Sequence, residues 1–274
     1  MKSSLTMKLS VDNKTAVVTG GTRGLGLYCA ETLVENGIKT IFITSRKAKA
    51  CEDAKKHLEE LAKKNGRSVE VVAIPSDLAV EEQAENFAKE VAKKVDKIDI
   101  LVANAGASWG APLEEHTVAA IKKVINLNFV AVFHTIKLFT PLLEKAASAK
   151  DPSRIVIMSS VASYSTNDIV GTYGYAGSKA AVSHLGRNLA VQFAPRHINV
   201  NSILPGWFPS KMANGLIEAG GKLLTETNPR GRLGEPEDLK TVLMFLCSKQ
   251  ANYINGVDLP VDGGAHLNSP AAHF

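Results

Sequence analysis

The run Tyr175-Ala176-Gly177-Ser178-Lys179 sets a phenol and an ammonium four residues apart. On a helix such a pair shares one face, so both groups can serve one site. The chemistry suggested is a proton donor with its tuner. A free phenol has a pKa of roughly 10 and exchanges few protons at neutral pH, whereas a neighbouring cation favours the phenolate. The spacing alone also suits a half-buried Tyr beside a solvated Lys, so the rest of the chain has to decide.

A second cluster lies far upstream. Gly20, Thr22, Arg23, Gly24, Leu25 and Gly26 follow the apolar run Thr15 to Thr19 and open the next helical stretch. Glycines there allow a tight turn and close backbone approach, while the helix amino terminus offers free N–H groups to a pyrophosphate. The spacing is Gly-x-x-x-Gly-x-Gly, and its place between first strand and first helix marks a dinucleotide site. An NAD site usually carries an acid at the end of the second strand. Here that position reads Thr44-Ser45-Arg46-Lys47, and no acid occurs before Glu52. Ser45, Arg46 and Lys47, with Arg23 nearby, suit a 2′-phosphate and hence NADP(H). The alternative, that Arg46 and Lys47 merely solvate a helix start, sets two cations against the helix dipole.

These clusters need elements to hold them. Short Val/Ile-rich runs occur at Thr15 to Thr19, Thr40 to Thr44, Val69 to Ile74, Ile98 to Ala103, Arg154 to Met158, Ile198 to Ile203 and Val257 to Val261. Helix-length segments alternate with them at Leu25 to Asn36, Lys47 to Lys64, Glu81 to Val95, Val118 to Lys145, Tyr175 to Phe193 and Pro236 to Leu246. This alternation predicts an α/β, Rossmann-type, doubly wound parallel sheet of seven strands with helices on both faces. One domain is expected over residues 1–274, with its core at about 12–264. Two long segments break the rhythm, Ser160 to Gly174 and Gly206 to Gly234. Both leave carboxyl ends of strands, where open α/β sheets bind ligands, and the second is expected to be a substrate loop.

Composition narrows the function classes. Over 274 residues the chain is 45% hydrophobic and 22% charged, with no apolar run near the roughly 20 residues of a membrane span. The expectation is a cytoplasmic protein without membrane contact. Its net charge of +5 raises nucleic acid as a partner. The lysines, however, are interleaved with acids as on mixed-charge helices, which argues against one. Cys29, Cys51 and Cys247 are isolated and read as reduced, and neither they nor the seven His residues have metal-ligand spacing.

Taken in order, Gly20-x-x-x-Gly24-x-Gly26, Asn104-Ala105-Gly106, Ser160 and Tyr175-x-x-x-Lys179 resemble the short-chain dehydrogenase/reductase family, as do Pro205-Gly206 and the closing Asn255-Gly256 with Val261-Asp262-Gly263-Gly264. The likeness runs from about Asp12 to Gly264 and is greatest to the family's NADPH-dependent 3-oxoacyl reductases. It implies that Tyr175 protonates a substrate carbonyl oxygen, that Lys179 lowers the pKa of Tyr175 and holds the nicotinamide ribose, and that Ser160 donates to the same oxygen. It further implies that Asn128 holds a water of a proton relay. Asp77 and Leu78 would contact adenine, and Asn104, Ala105 and Gly106 would lie behind its ribose. Pro205 and Gly206 would complete the cofactor site. Ser159 competes with Ser160, and Asn126 with Asn128. Asn104 has a bland alternative as a helix cap.

Trp109, Trp207, Phe208, Met212, Leu216 and Ile217 are candidates for an apolar cavity suited to a small carbonyl substrate, with a core or subunit-contact role as the alternative. The resemblance also implies a homotetramer built partly from the Val118 and Tyr175 helices. Two other functions compete: an NAD-dependent polyol, sugar or steroid alcohol dehydrogenase, and a catalytically silent nucleotide-binding regulator.

Overall fold

The fold is that of a computed structural model, which describes residues 9–166, 171–210, 215, 217 and 221–268. Seven strands form one sheet: β1 (Thr15–Thr19), β2 (Thr40–Thr44), β3 (Glu70–Ala73), β4 (Ile100–Ala103), β5 (Ser153–Met158), β6 (Ile198–Pro205) and β7 (Asp258–Val261). Their spatial order is β3-β2-β1-β4-β5-β6-β7 and every neighbouring pair is parallel. The chain winds outward from β1 to β3 and returns to place β4 beside β1. That reversal opens a crevice at the carboxyl ends of β1 and β4.

Helices α1 (Gly24–Glu35), α2 (Ala48–Lys64), α3 (Glu81–Ala92), α4 (Val118–Ile125), α5 (Ala131–Ala146), α6 (Tyr173–Phe193) and α7 (Pro236–Cys247) cover the sheet. Alternating β1 residues point to opposite faces, as a strand requires. Ala16 and Val18 join Leu33, Ile41, Ile43, Leu239 and Leu243 in one buried cluster. Val17 joins Phe42, Phe87, Leu101, Phe139 and Val182 in the other. Burial on both faces explains why the strands read as continuous apolar runs.

Three boundaries differ from the sequence reading for physical reasons. β6 continues to Pro205 because β7 pairs with it as far as Pro205 opposite Val261. Helix α6 begins at Tyr173, so Tyr175 lies in its first turn. The stretch read as one helix from Val118 to Lys145 contains a π-helical turn, Asn126–Val130, between α4 and α5. Such turns insert a residue into the helical ladder and often mark functional sites. Within the combined helix Val118–Ala146 an 18-residue stretch has a mean hydropathy of 1.2, so by length and composition alone it could cross a bilayer. Here its apolar face packs on the sheet and on α3, where the Phe139 and Phe87 rings meet edge to face at 5.6 Å.

Candidate active site

The glycine turn sits over the crevice. Gly20 and Gly24 have φ of +64° and +53°, a region that favours glycine, and a Cβ on Gly26 would strike both the Gly20 carbonyl and the Asn104 amide. Asn104 explains that closeness. Its Nδ2 donates to Thr19 O at 2.9 Å and to Gly20 O at 3.3 Å, while the Thr19 hydroxyl accepts from the Asn104 and Ala105 amides at 2.9 and 3.0 Å. Asn104 is therefore a clamp between β4 and β1, and the helix-cap alternative is not what the structure holds. Arg23 at the start of α1 gives no side-chain cap, and no acid occupies the first turn. The leading amides of α1 are left to face the cleft, as an anionic pyrophosphate requires. At the far end of this cleft the Thr44 hydroxyl is buried without a hydrogen-bond partner. A cradle too tight for side chains, an uncapped helix start and an orphaned hydroxyl fit a dinucleotide.

The cleft is lined by Gly20, Thr22, Arg23, Gly24, Leu25, Gly26, Ser45, Arg46, Asp77, Leu78, Asn104, Ala105, Gly106, Tyr175 and Lys179, as the sequence reading placed them. Thr44, Ser76, Ala107, Leu127, Met158 and Ser210 line it too, unassigned from the sequence, as does Ser159, the competitor of Ser160, which itself is not in the lining. Three expected cofactor residues are displaced from the lining. Lys47 is exposed at the start of α2 and does not line the cleft. Pro205 is buried at the end of β6, and the Gly206 amide donates to Val261 O at 3.0 Å. These two tie β6 to β7 and support the site from beneath.

Four chemical groups converge at the inner end. The Ser160 hydroxyl is hydrogen-bonded to the Tyr175 phenol. Lys179 is buried, its Nζ stands 5.6 Å from the Tyr175 ring centroid, and it donates to Met158 O at 2.7 Å. A Cβ on Gly106 would lie 3.2 Å from Asn128 Oδ1 and 3.6 Å from Lys179 Nζ, so the loop after β4 passes close to both side chains and a side chain there would crowd Asn128. Asn128 is wholly buried in the π turn, accepting from Ala107 N and donating to Ala107 O, both at 2.9 Å, and to Ser178 Oγ at 3.0 Å. Its competitor Asn126 donates to Ala79 O at 3.0 Å at the surface. Ser159 donates to Lys179 O at 3.0 Å and accepts from Ser183 at 2.7 Å, so its hydroxyl is engaged within the fold.

One electrostatic expectation is reversed. Burial pushes the Tyr175 phenol above its usual pKa, and the Ser160 hydrogen bond is what opposes that rise. Lys179 is not among the groups that oppose the rise; its own ammonium is desolvated, with a pKa brought down to about 8, and donates to the Met158 carbonyl.

Among the described residues, none of those expected to wall an apolar substrate cavity lines this cleft. Phe208 is buried in the core under α7, with its ring against Gly234. Trp207 lines a separate cavity with Arg230, Asp238 and Gly263. Trp109 is exposed and Ile217 does not line the cleft, while Met212 and Leu216 fall outside the described residues. Tyr164 and Tyr173, each lacking a Lys four residues on, instead contact His266 and His116.

Comparison with known proteins agrees with this geometry. A family model described as Enoyl-(Acyl carrier protein) reductase matches residues 20–266. The rhamnolipids biosynthesis 3-oxoacyl-[acyl-carrier-protein] reductase of Pseudomonas aeruginosa is 38% identical over 260 residues, 94% of this chain and 98% of that one. The 3-oxoacyl-[acyl-carrier-protein] reductase FabG of Aquifex aeolicus is 34% identical over 94% of this chain and 99% of its own. Among solved structures, the Pseudomonas aeruginosa RhlG/NADP active-site complex superposes with a TM-score of 0.87 at 38% identity, covering 94% of this chain and 98% of that one. With the glycine cradle, the Asn104 clamp, Tyr175 and Lys179 in one cleft, and Ser160 at the Tyr175 phenol, the chain belongs to the short-chain dehydrogenase/reductase family of oxidoreductases.

Proposed function

We propose that this enzyme reduces a ketone or 3-oxoacyl carbonyl to the alcohol with NADPH, Tyr175 being the proton donor. The observation that carries the reading is that Tyr175, with Ser160 at its phenol, lines the same cleft as the uncapped glycine turn. The residues that would hold the cofactor are Gly20, Thr22, Gly24, Leu25 and Gly26 at the pyrophosphate, Ser45, Arg46 and Arg23 at the 2′-phosphate, Asp77 and Leu78 at adenine, and Lys179 at the nicotinamide ribose. NADPH bound there supplies the hydride that the carbonyl carbon receives. Ser160 and Tyr175 hydrogen-bond the carbonyl oxygen and stabilise the negative charge that develops on it. Tyr175 then gives that oxygen its proton, a task suited to a phenol kept protonated at neutral pH. Asn128 anchors the loop after β4 beside Lys179 and holds open the route by which the proton is replaced. The 3-oxoacyl substrate class is supported by the names of the two curated relatives, and a cytosolic homotetramer is the proposed assembly.

The test is nicotinamide oxidation with NADPH and with NADH against ketones, β-ketoesters and acyl thioesters. Turnover of at least one carbonyl with preference for NADPH is expected. Tyr175→Phe should lower kcat by about 10²–10⁴-fold, the range for a positioned acid, with NADPH affinity little changed. Wild-type turnover in that variant would remove Tyr175 from the role.

A further inference from the structure

We propose that Tyr164 is a positioning residue for Ser160, holding the turn that carries the Ser160 hydroxyl by a bond to Asp258; the inference rests on the proposed role of Ser160. Ser160 caps the 3₁₀ turn Val161–Ser163, accepting from Ala162 N at 3.2 Å, while Ser163 Oγ donates to Ser160 O at 2.7 Å. A three-residue 3₁₀ turn holds itself weakly, so its ends have to be fixed from outside. One end is fixed on the sheet, where Ser159 N donates to Ile203 O at 2.9 Å. The other end is Tyr164.

Although half of Tyr164 is exposed, both faces of its function are occupied. Its hydroxyl donates to Asp258 Oδ2 at 3.0 Å, and its ring lies 6.3 Å from that of His266. Each partner is itself immobilised. Asp258 opens β7, its side chain is 5% exposed, and Arg187 of α6 pairs with the same oxygen. The other oxygen, Oδ1, is buried with no partner, so this carboxylate is bound entirely through the atom that Tyr164 uses. His266 is bound to Asp262 by both its backbone amide and its Nδ1, each at 2.7 Å. Asp262 in turn accepts from Gly264 N at 3.0 Å. Tyr164 thus ties the turn after β5 to β7 and to the turn that follows it. A hydroxyl displaced by about an ångström from a reacting oxygen forfeits much of its rate contribution, so a bond four residues from Ser160 has kinetic consequence.

The experiment is a double-mutant cycle on the full chain, using Tyr164→Phe, Ser160→Ala and both together, with acetoacetyl-coenzyme A and NADPH. Tyr164→Phe keeps the ring and loses only the bond to Asp258. It should lower kcat by about tenfold with NADPH affinity held within twofold, and cost nothing further in the Ser160→Ala background. Backbone amide exchange at residues 161–165 should accelerate in Tyr164→Phe, a readout independent of turnover. Asp258→Asn, which weakens the same bond from its other side, should give a smaller loss that also vanishes without Ser160. Unchanged amide exchange, wild-type kcat in Tyr164→Phe, or an equal tenfold loss in both backgrounds overturns the inference while leaving Ser160 in place. Wild-type kcat in Ser160→Ala removes the role of Ser160 itself, and the inference with it.

Discussion

Lys179 shares a helix face with Tyr175, yet its ammonium ends on the Met158 carbonyl at 2.7 Å and stands 5.6 Å from the phenol's ring centroid. The consequence is an acid that keeps its proton. Burial holds the phenol above its usual pKa, so Tyr175 is protonated throughout the neutral range and ready to donate. Running the reaction backwards needs the phenolate. Reduction should therefore be flat in pH through the neutral range, while alcohol oxidation by NADP⁺ should climb with pH from neutral to about 10, approaching a tenfold gain per unit. Initial rates in both directions at matched ionic strength check this, and an oxidation profile that levels off near pH 7 would mean that the phenol is already ionised there.

Arg46 and Lys47 are adjacent in sequence and unequal in place. Both are exposed, but Arg46 lines the cofactor cleft beside Ser45 and Lys47 does not. Charge-assisted hydrogen bonds are worth about 1.5–3 kcal/mol each, so Arg46→Asp should lower the NADPH-to-NADH ratio of kcat/KM by about 10- to 100-fold or more. Lys47→Ala should leave the ratio within about twofold, because Lys47 lies outside the lining and its charge reaches the site only through solvent. Equal effects from both substitutions would place the 2′-phosphate on the α2 side of Arg46.

The contrast between these two residues shows where sequence reading stops. Strands β1 and β2 were legible to the residue, because parallel strands buried on both faces leave unbroken apolar runs between turn signals. The site motifs were legible because glycine spacing and the Tyr175/Lys179 pair encode local geometry. Side-chain destinations across the sheet were not. Phe208 and Trp207 read as a substrate wall by composition, yet only the return of the chain past Gly234 decides that Phe208 faces the core. The same limit hid Thr19, whose hydroxyl clamps residues 85 and 86 positions away. The π turn escaped as well, since Asn128 is drawn inward by Ala107 and Ser178, partners from elsewhere in the chain, while the apolar period runs on unbroken.

The glycine cradle makes a sharper claim than its motif. Gly26 has no room for a Cβ, and one of the atoms in the way is the backbone carbonyl of Gly20, which cannot swing aside as a side chain would. Gly26→Ala has to displace the turn and weaken Asn104's hold on Thr19 and Gly20. We expect NADPH affinity to fall by at least about tenfold and the cofactor-free protein to lose about 1–3 kcal/mol, as overpacking does. Gly177, which has open space around it on α6, provides the control: Gly177→Ala should bind NADPH as wild type and gain slightly in stability from helix propensity. Fluorescence titration and thermal melts measure both, and wild-type affinity in Gly26→Ala would show that the cradle yields.

Burying Lys179 makes the cofactor-free protein sensitive to pH in a defined window. Its folded pKa is about 8 against 10.5 for the free amine, so below about 8 the folded state carries the full cost of a desolvated ammonium. Between about 8 and 10.5 the unfolded chain binds the proton that the folded one has released. Stability therefore rises with pH across that window, by at most about 3 kcal/mol for a shift of this size. Tyr175 adds the opposite trend only at higher pH, where an ordinary phenol ionises and its buried counterpart does not. Lys179→Met keeps the volume and removes the titration. The Tm of the wild type should consequently rise relative to that of Lys179→Met between pH 7.5 and pH 10, with the variant the more stable at the lower pH. Melts of both proteins across this range test it, and a difference in Tm independent of pH would mean that Lys179 stays charged in the folded state, the Met158 carbonyl having compensated its burial.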